Sequence, residues 1–182
     1  TLNIAKATPV ITWATPVAIT YGTALSGTQL NATTSVAGSF GYSPASGSVL
    51  NAGAQALNAT FTPTDTGNYN GASAQQTLTV NTAVATVTLG SLSATYDGTA
   101  KAATAGTTPA SLTVGLTYNG SATAPTNAGT YAVVGTISDA NYTGSASGTL
   151  TISKANQTIT FAGPGPQTFG AAPITLSATA SS

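Results

Sequence analysis

The chain has 182 residues, 41% of them hydrophobic, and only six carry charge: Lys6, Lys101, Lys154, Asp65, Asp97 and Asp139. That is about an eighth of the usual charged share, and His, Cys, Met, Glu and Arg are missing altogether. The composition therefore excludes, as expectations, acid/base catalysis by His or tuned carboxylates, metal binding by His/Cys/Asp/Glu clusters, and nucleic-acid binding through many Lys and Arg.

No apolar run approaches the ~20 residues that span a bilayer, so membrane insertion is not expected. Disordered chains are poor in hydrophobic residues and rich in charge, the reverse of this one, which also carries twelve aromatics. Thirty-seven Thr and eighteen Ser supply the polarity, and Thr with Val, Ile and Tyr favours strands. The absence of Cys fits an exported bacterial protein or any chain that avoids disulfide chemistry, and no signal peptide is visible at Thr1.

In chain order, residues 1–7 (Thr-Leu-Asn-Ile-Ala-Lys-Ala) read as the last strand of a preceding repeat. The same heptad pattern returns at Thr77–Ala83 and at Thr149–Ala155, at offsets of 76 and 72. Residues 8–82 form a first repeat, 83–154 a second, and 155–182 the opening strands of a third, incomplete one. Ser39-Phe-Gly-Tyr42 corresponds to Gly115-Leu-Thr-Tyr118, Asn51-Ala-Gly53 to Asn127-Ala-Gly129, and Asp65-Thr-Gly-Asn-Tyr69 to Asp139-Ala-Asn-Tyr142. A period this long suits a small domain with its own core rather than a solenoid coil.

Within the second repeat, Val84 to Leu89 and Leu92 to Tyr96 read as an opening pair of strands. Leu112, Val114, Leu116 and Tyr118 share one face of another strand, and Asn119-Gly120 gives a turn. Thr130 to Ile137 and Ser145 to Ile152 follow, with Leu150 and Ile152 facing in, as do Leu78/Val80 and Leu2/Ile4 at the equivalent places. Ile159 to Phe161 and Ile174 to Leu176 read as the opening pair of the third repeat. Short strands about ten residues apart, with no helical periodicity, predict an all-β chain of Ig-like β-sandwich repeats arranged end to end.

The Asp65-x-Gly-x-Tyr69 run resembles the tyrosine corner of immunoglobulin domains. On the plainer reading Asp65 and Asp139 make Asx turns while Tyr69 and Tyr142 pack in the core. Trp13, Leu89 and Phe161 align at one large apolar position, expected to be core rather than a glycan-binding surface.

Tyr96-Asp-Gly-Thr-Ala-Lys101, Tyr118-Asn-Gly-Ser-Ala-Thr-Ala-Pro125, Asn127-Ala-Gly-Thr-Tyr131 and the stretch Asp139–Ala155 resemble the MBG-type and YDG-type bacterial repeats. The first repeat departs from the pattern, with no Asp after Tyr21 and Thr82 in place of Lys154. The resemblance implies Ig-like modules in tandem in large exported, adhesin-like surface proteins, and it carries over no catalytic residue.

Asp65 and Asp139 are expected about one repeat apart, on the order of 30 Å, too far for a carboxylate dyad. No catalytic, cofactor or metal site is expected. A Lys–Asn or Lys–Asp isopeptide crosslink would need Asp97 or Asp139 as a buried acid beside Lys101 or Lys154 and its partner; Lys6 and Lys154 more simply blunt exposed strand ends. One or two Asp per repeat are too few for calcium, and Thr-x-Thr pairs such as Thr77/Thr79 are too few for an ice-binding face. The expected function is a structural stalk or spacer segment at a bacterial cell surface or outside the cell. Its partners are neighbouring repeats of the same chain, and any glycan or surface ligand belongs to other domains. The alternative is an extracellular filament in which identical chains complete each other by strand addition.

Overall fold

The computed structural model describes residues 2–181. They fold entirely as strands and loops, with no helix among the described residues.

In the first repeat, β1 (Ile19–Thr20), β2 (Gly38–Ser43), β3 (Gly53–Pro63) and β4 (Ala72–Asn81) form one sheet in the order β1-β4-β3-β2. β2, β3 and β4 run antiparallel, with Phe40 opposite Phe61 and Gln55 opposite Leu78, whereas β1 lies parallel to β4 with Ile19 opposite Val80. Alternation along β3 and β4 sends Leu57, Ala59, Phe61, Leu78 and Val80 inward, each at most 2% exposed, while Asn58, Thr60 and Thr79 between them face out. The inner face is covered by the irregular segment before β2, which contributes Trp13, Leu25, Leu30 and Ala32. A Thr12–Thr33 bridge fastens that segment to itself and an Ala24–Val49 bridge fastens it to the loop before β3. Burying each of these large side chains stabilises by roughly 1.5–3 kcal/mol, and together they make the core. Gln29, the buried polar residue of this core, is satisfied: its carbonyl accepts from Trp13 Nε1 at 3.0 Å and its side-chain oxygen from Ser26.

The second repeat contains β5 (Ala83–Val84), β6 (Thr86–Gly90), β7 (Ser93–Thr95), β8 (Thr104–Thr108), β9 (Val114–Tyr118), β10 (Gly129–Ile137), β11 (Tyr142–Thr143) and β12 (Ser145–Ser153). Its sheet has the order β7-β12-β10-β9, with β7 parallel to β12 and Ala94 opposite Ile152. This repeats the β1-β4-β3-β2 order and its parallel edge. Leu150 and Ile152 are buried, as their parity predicts. Asn119-Gly120 makes the expected tight turn, with φ of 47° and 86°, closed by reciprocal bonds between Tyr118 and Ser121.

The opening strands expected at Val84–Leu89 and Leu92–Tyr96 form as β6 and β7 but do not pair with each other. β6 pairs with β8 and β7 crosses to β12, which brings Leu89 and Leu92 over Gly148. Burial of two leucines against β12 outweighs the local hairpin. In the third copy, β13 (Ile159–Phe161) pairs antiparallel with β14 (Ala178–Ala180) rather than with 174–176, placing Thr160 opposite Thr179. That pairing is the counterpart of the Thr12–Thr33 bridge, so the third copy opens as the first does. The strand expected at 1–7 does not form over 2–6, so Leu2 and Ile4 do not face in and are 89% and 81% exposed; Thr1 lies outside the described residues.

Residues group into two compact units, Thr1–Thr88 with Ala105–Leu116 and Gly135–Ala146, and Leu89–Thr104 with Thr117–Val134 and Ser147–Ser182. The near end of the second repeat thus belongs to the same compact unit as the whole first repeat.

Candidate functional site

The two predicted turns are built alike. Asp65 Oδ1 accepts the N–H groups of Gly67 and Asn68 at 3.0 and 3.1 Å, and its Oδ2 accepts the Asn68 side-chain amide at 2.7 Å. Asp139 Oδ1 accepts the N–H groups of Asn141 and Tyr142 at 2.7 and 3.1 Å. These are Asx turns, which hold the following Asn and Tyr in a fixed orientation. The Asn68 side chain, then its backbone N–H, holds the Asp65 carboxyl below the ordinary range. Tyr69 and Tyr142 are half-buried rather than core residues. The phenols that bond to backbone are others: Tyr42 accepts the Ala32 N–H at 3.0 Å and Tyr118 the Ala103 N–H at 2.8 Å.

Each turn also pairs with the chain that enters its repeat. Ala7 bonds to the Asn68 carbonyl and receives the Asn70 N–H; Ala83 and Ala85 donate to the carbonyls of Asn141 and Thr143 at 2.8 and 2.9 Å, which makes β5 parallel to β11. The linker that leaves β4 is therefore zipped at once to the next repeat's turn. Gly144 permits this approach, because a Cβ there would collide with the Ala85 carbonyl oxygen and stand 3.1 Å from Ile137.

The turn of the second repeat then meets the far end of the first. Asn141 Oδ1 accepts the Ala52 N–H at 2.8 Å and its amide group donates to Asn51 Oδ1 at 3.3 Å. Tyr142 packs edge-on against Tyr21, with ring centroids 5.3 Å apart and planes at 78°. Tyr21 is itself fixed by its N–H to the Asn81 carbonyl at 2.8 Å. One carboxamide and one phenol ring thus read a backbone amide, a second Asn and a second Tyr: a small, polar and directional contact between repeats. Of its members only Tyr142 is a candidate site residue in the sequence; Asn51, Ala52 and Asn141 enter there only within recurring motifs, and Tyr21 carries no role. The signal for them was there, since Asn-Ala-Gly and Asn-Tyr each recur in both repeats.

The remaining candidates are spread out. Trp13 is 7% exposed, Leu89 half-buried and Phe161 53% exposed. Phe161 departs from the core expectation because the two-stranded β13–β14 sheet has no covering layer among the described residues. Asp97 accepts Lys101 Nζ at 2.5 Å together with the amide and hydroxyl of Thr99, a clasp closed within the YDG segment on the surface. Lys101 above all holds the Asp97 carboxyl far below the ordinary range. Asp97 is exposed while Lys101 is half-buried, so the pair lacks the buried acid that an isopeptide bond requires. Lys6 donates to the Thr66 carbonyl at 2.8 Å, tying down the chain before the first repeat.

Residues 85–156 match the family model of the MBG domain. No curated protein matches the chain.

Proposed function

With residues 85–156 matching the MBG domain model, we propose that the chain is a structural spacer: a non-catalytic stalk segment of a large bacterial protein displayed outside the cell, whose partners are its own neighbouring repeats. The observation that carries this reading is the contact of Asn141 and Tyr142 with Ala52 and Tyr21. A linker as short as Asn81-Thr82-Ala83, itself bonded into β4 and β5, leaves the repeats little freedom to swing, and the directional contact fixes their register. A near-neutral surface favours association, which costs a free protein solubility but suits a module whose neighbours are tethered to it.

Two measurements test the proposal. A membrane-impermeant amine reagent applied to intact cells of the source organism should label the protein; labelling only after lysis would overturn the placement outside the cell. Sedimentation of the purified chain should give a monodisperse monomer, whereas concentration-dependent polymers would favour the filament built by strand addition.

A further inference from the structure

The far end of the second repeat carries the same groups as the far end of the first. Tyr96 donates its N–H to the Ser153 carbonyl at 2.8 Å, as Tyr21 does to Asn81. β7 lies parallel to β12 as β1 lies to β4. Asn127 and Ala128 lead into β10 as Asn51 and Ala52 lead into β3. The difference is in what covers them. Ala52 is half-buried, with its N–H taken by Asn141; Asn127 and Ala128 are exposed, and Tyr96 keeps 40% of its surface open. An open cleft of about 1180 Å³ runs between Tyr96, Ala128, Lys154 and Ser181.

We propose that Tyr96, Asn127 and Ala128 form a docking seat for the Asn-Tyr turn of a further repeat of this type, joined through Lys154 and Ala155. The inference rests on the spacer reading and extends it by naming the contact that propagates along an array. The occupant is specified by the contact already formed in the first unit. Its carboxamide oxygen takes the Ala128 N–H, its amide group donates to Asn127 Oδ1, and its phenol ring stands edge-on to Tyr96. The chain leaving the second repeat is already set for this, since β13 and β14 pair through Thr160 and Thr179 as the first repeat opens through Thr12 and Thr33. Both complete repeats carry the required turn at their near end, Asn68-Tyr69 and Asn141-Tyr142, fixed in each case by an Asx turn. Every repeat thus presents a turn at one end and a seat at the other, so the junction can recur indefinitely.

The test is to complete the third repeat. Leu176-Ser-Ala-Thr179 corresponds to Leu30-Asn-Ala-Thr33, so the full chain is extended in frame by residues 37–81, and hydrogen exchange is followed at single amides. The Ala128 amide should exchange at least tenfold more slowly than in the 182-residue chain. Replacing the Asn68 copy by Ala in the added segment, or Tyr96→Ala, should return it to the original rate. The inference is overturned if the added repeat folds, as judged by protection of its own copies of Leu57 and Leu78, while Ala128 exchanges as before. A second extension, residues 1–154 followed by 83–154, presents the Asn141-Tyr142 turn instead and decides the matter where the first hybrid folds poorly. Ala52 distinguishes the two failures. A protected Ala52 with an unprotected Ala128 rejects the seat alone, whereas an unprotected Ala52 in the 182-residue chain rejects the spacer reading beneath it.

Discussion

The Ala52 N–H donates to Asn141 Oδ1 at 2.8 Å across 89 residues of sequence, joining the far end of one repeat to the near end of the next. A backbone amide is a donor that no substitution at position 52 short of Pro removes, so specificity rests on the acceptor side, on Asn141 and on the Asx turn that aims it. Asn141→Ala should therefore loosen the junction and little else. It removes two neutral hydrogen bonds, from the Ala52 N–H and to Asn51 Oδ1, each worth about 0.5–1.5 kcal/mol at a half-buried place. Tyr21→Ala should cost about as much again through the lost aromatic pair. Denaturant unfolding of both single variants and of the double variant checks this, and coupling between the two sites should exceed about 0.5 kcal/mol because they serve one contact.

Gly144 is the position where the junction tolerates no side chain. Gly144→Ala places a methyl group against the Ala85 carbonyl, so β5 and β11 must part or shift. A destabilisation of about 1–3 kcal/mol is expected, as for other overpacking changes. Gly27→Ala, where nothing lies within 4 Å, should change stability by less than about 0.5 kcal/mol. Thermal unfolding of the two variants side by side gives the comparison.

Three aligned apolar residues should respond very differently to truncation. Trp13→Ala removes a buried indole together with its bond to Gln29 and its edge-on contact with Tyr42, and should cost about 3–5 kcal/mol. Leu89→Ala, half-buried against Gly148, should cost less, and Phe161→Ala within about 0.5 kcal/mol of nothing. Chemical denaturation followed by circular dichroism would rank them.

That ranking marks where the sequence was legible and where it was not. Period-2 alternation in Leu57–Ala59–Phe61 and Leu150–Ile152 is a local property, so strand type and inward face could be read from residues alone. The Asn119-Gly120 turn was legible for the same reason, since its backbone needs are met by two adjacent residues. Pairing partners are not local. Val84–Leu89 and Leu92–Tyr96 are close in sequence and went to different sheets, because the packing of Leu89 and Leu92 over Gly148 is decided by a strand sixty residues on. The junction was half legible. Asp65 and Asp139 announced the turns, but the partner of Asn141 is an unremarkable backbone amide that carries no side-chain signature.

Acid should weaken the fold through Asp65 and Asp97. Both carboxyls sit below their unfolded values, Asp65 chiefly through the Asn68 side chain and Asp97 chiefly through Lys101. A depressed native value means that the unfolded chain binds protons first as pH falls. The contribution is therefore complete above about pH 5, and it is lost as pH drops through roughly 4 toward the lower native values. Both groups are exposed, so the effect is modest and the Lys101 part weakens with salt. Melting temperatures between pH 7 and pH 2 should stay level to about pH 5 and then fall. Asp97→Asn should reduce the fall, and a fall beginning above pH 6 would point to other groups.

The contacts of Asn141 and Tyr142 hold neighbouring repeats to one another, rather than leaving them strung on free linkers. Backbone 15N relaxation of the 182-residue chain tests this most directly. One common rotational correlation time is expected for residues 8–82 and the near end of the second repeat, 83–88 and 135–146, separating into two shorter times in the Asn141→Ala, Tyr142→Ala double variant. Two independent, shorter correlation times already present in the unaltered chain would contradict it.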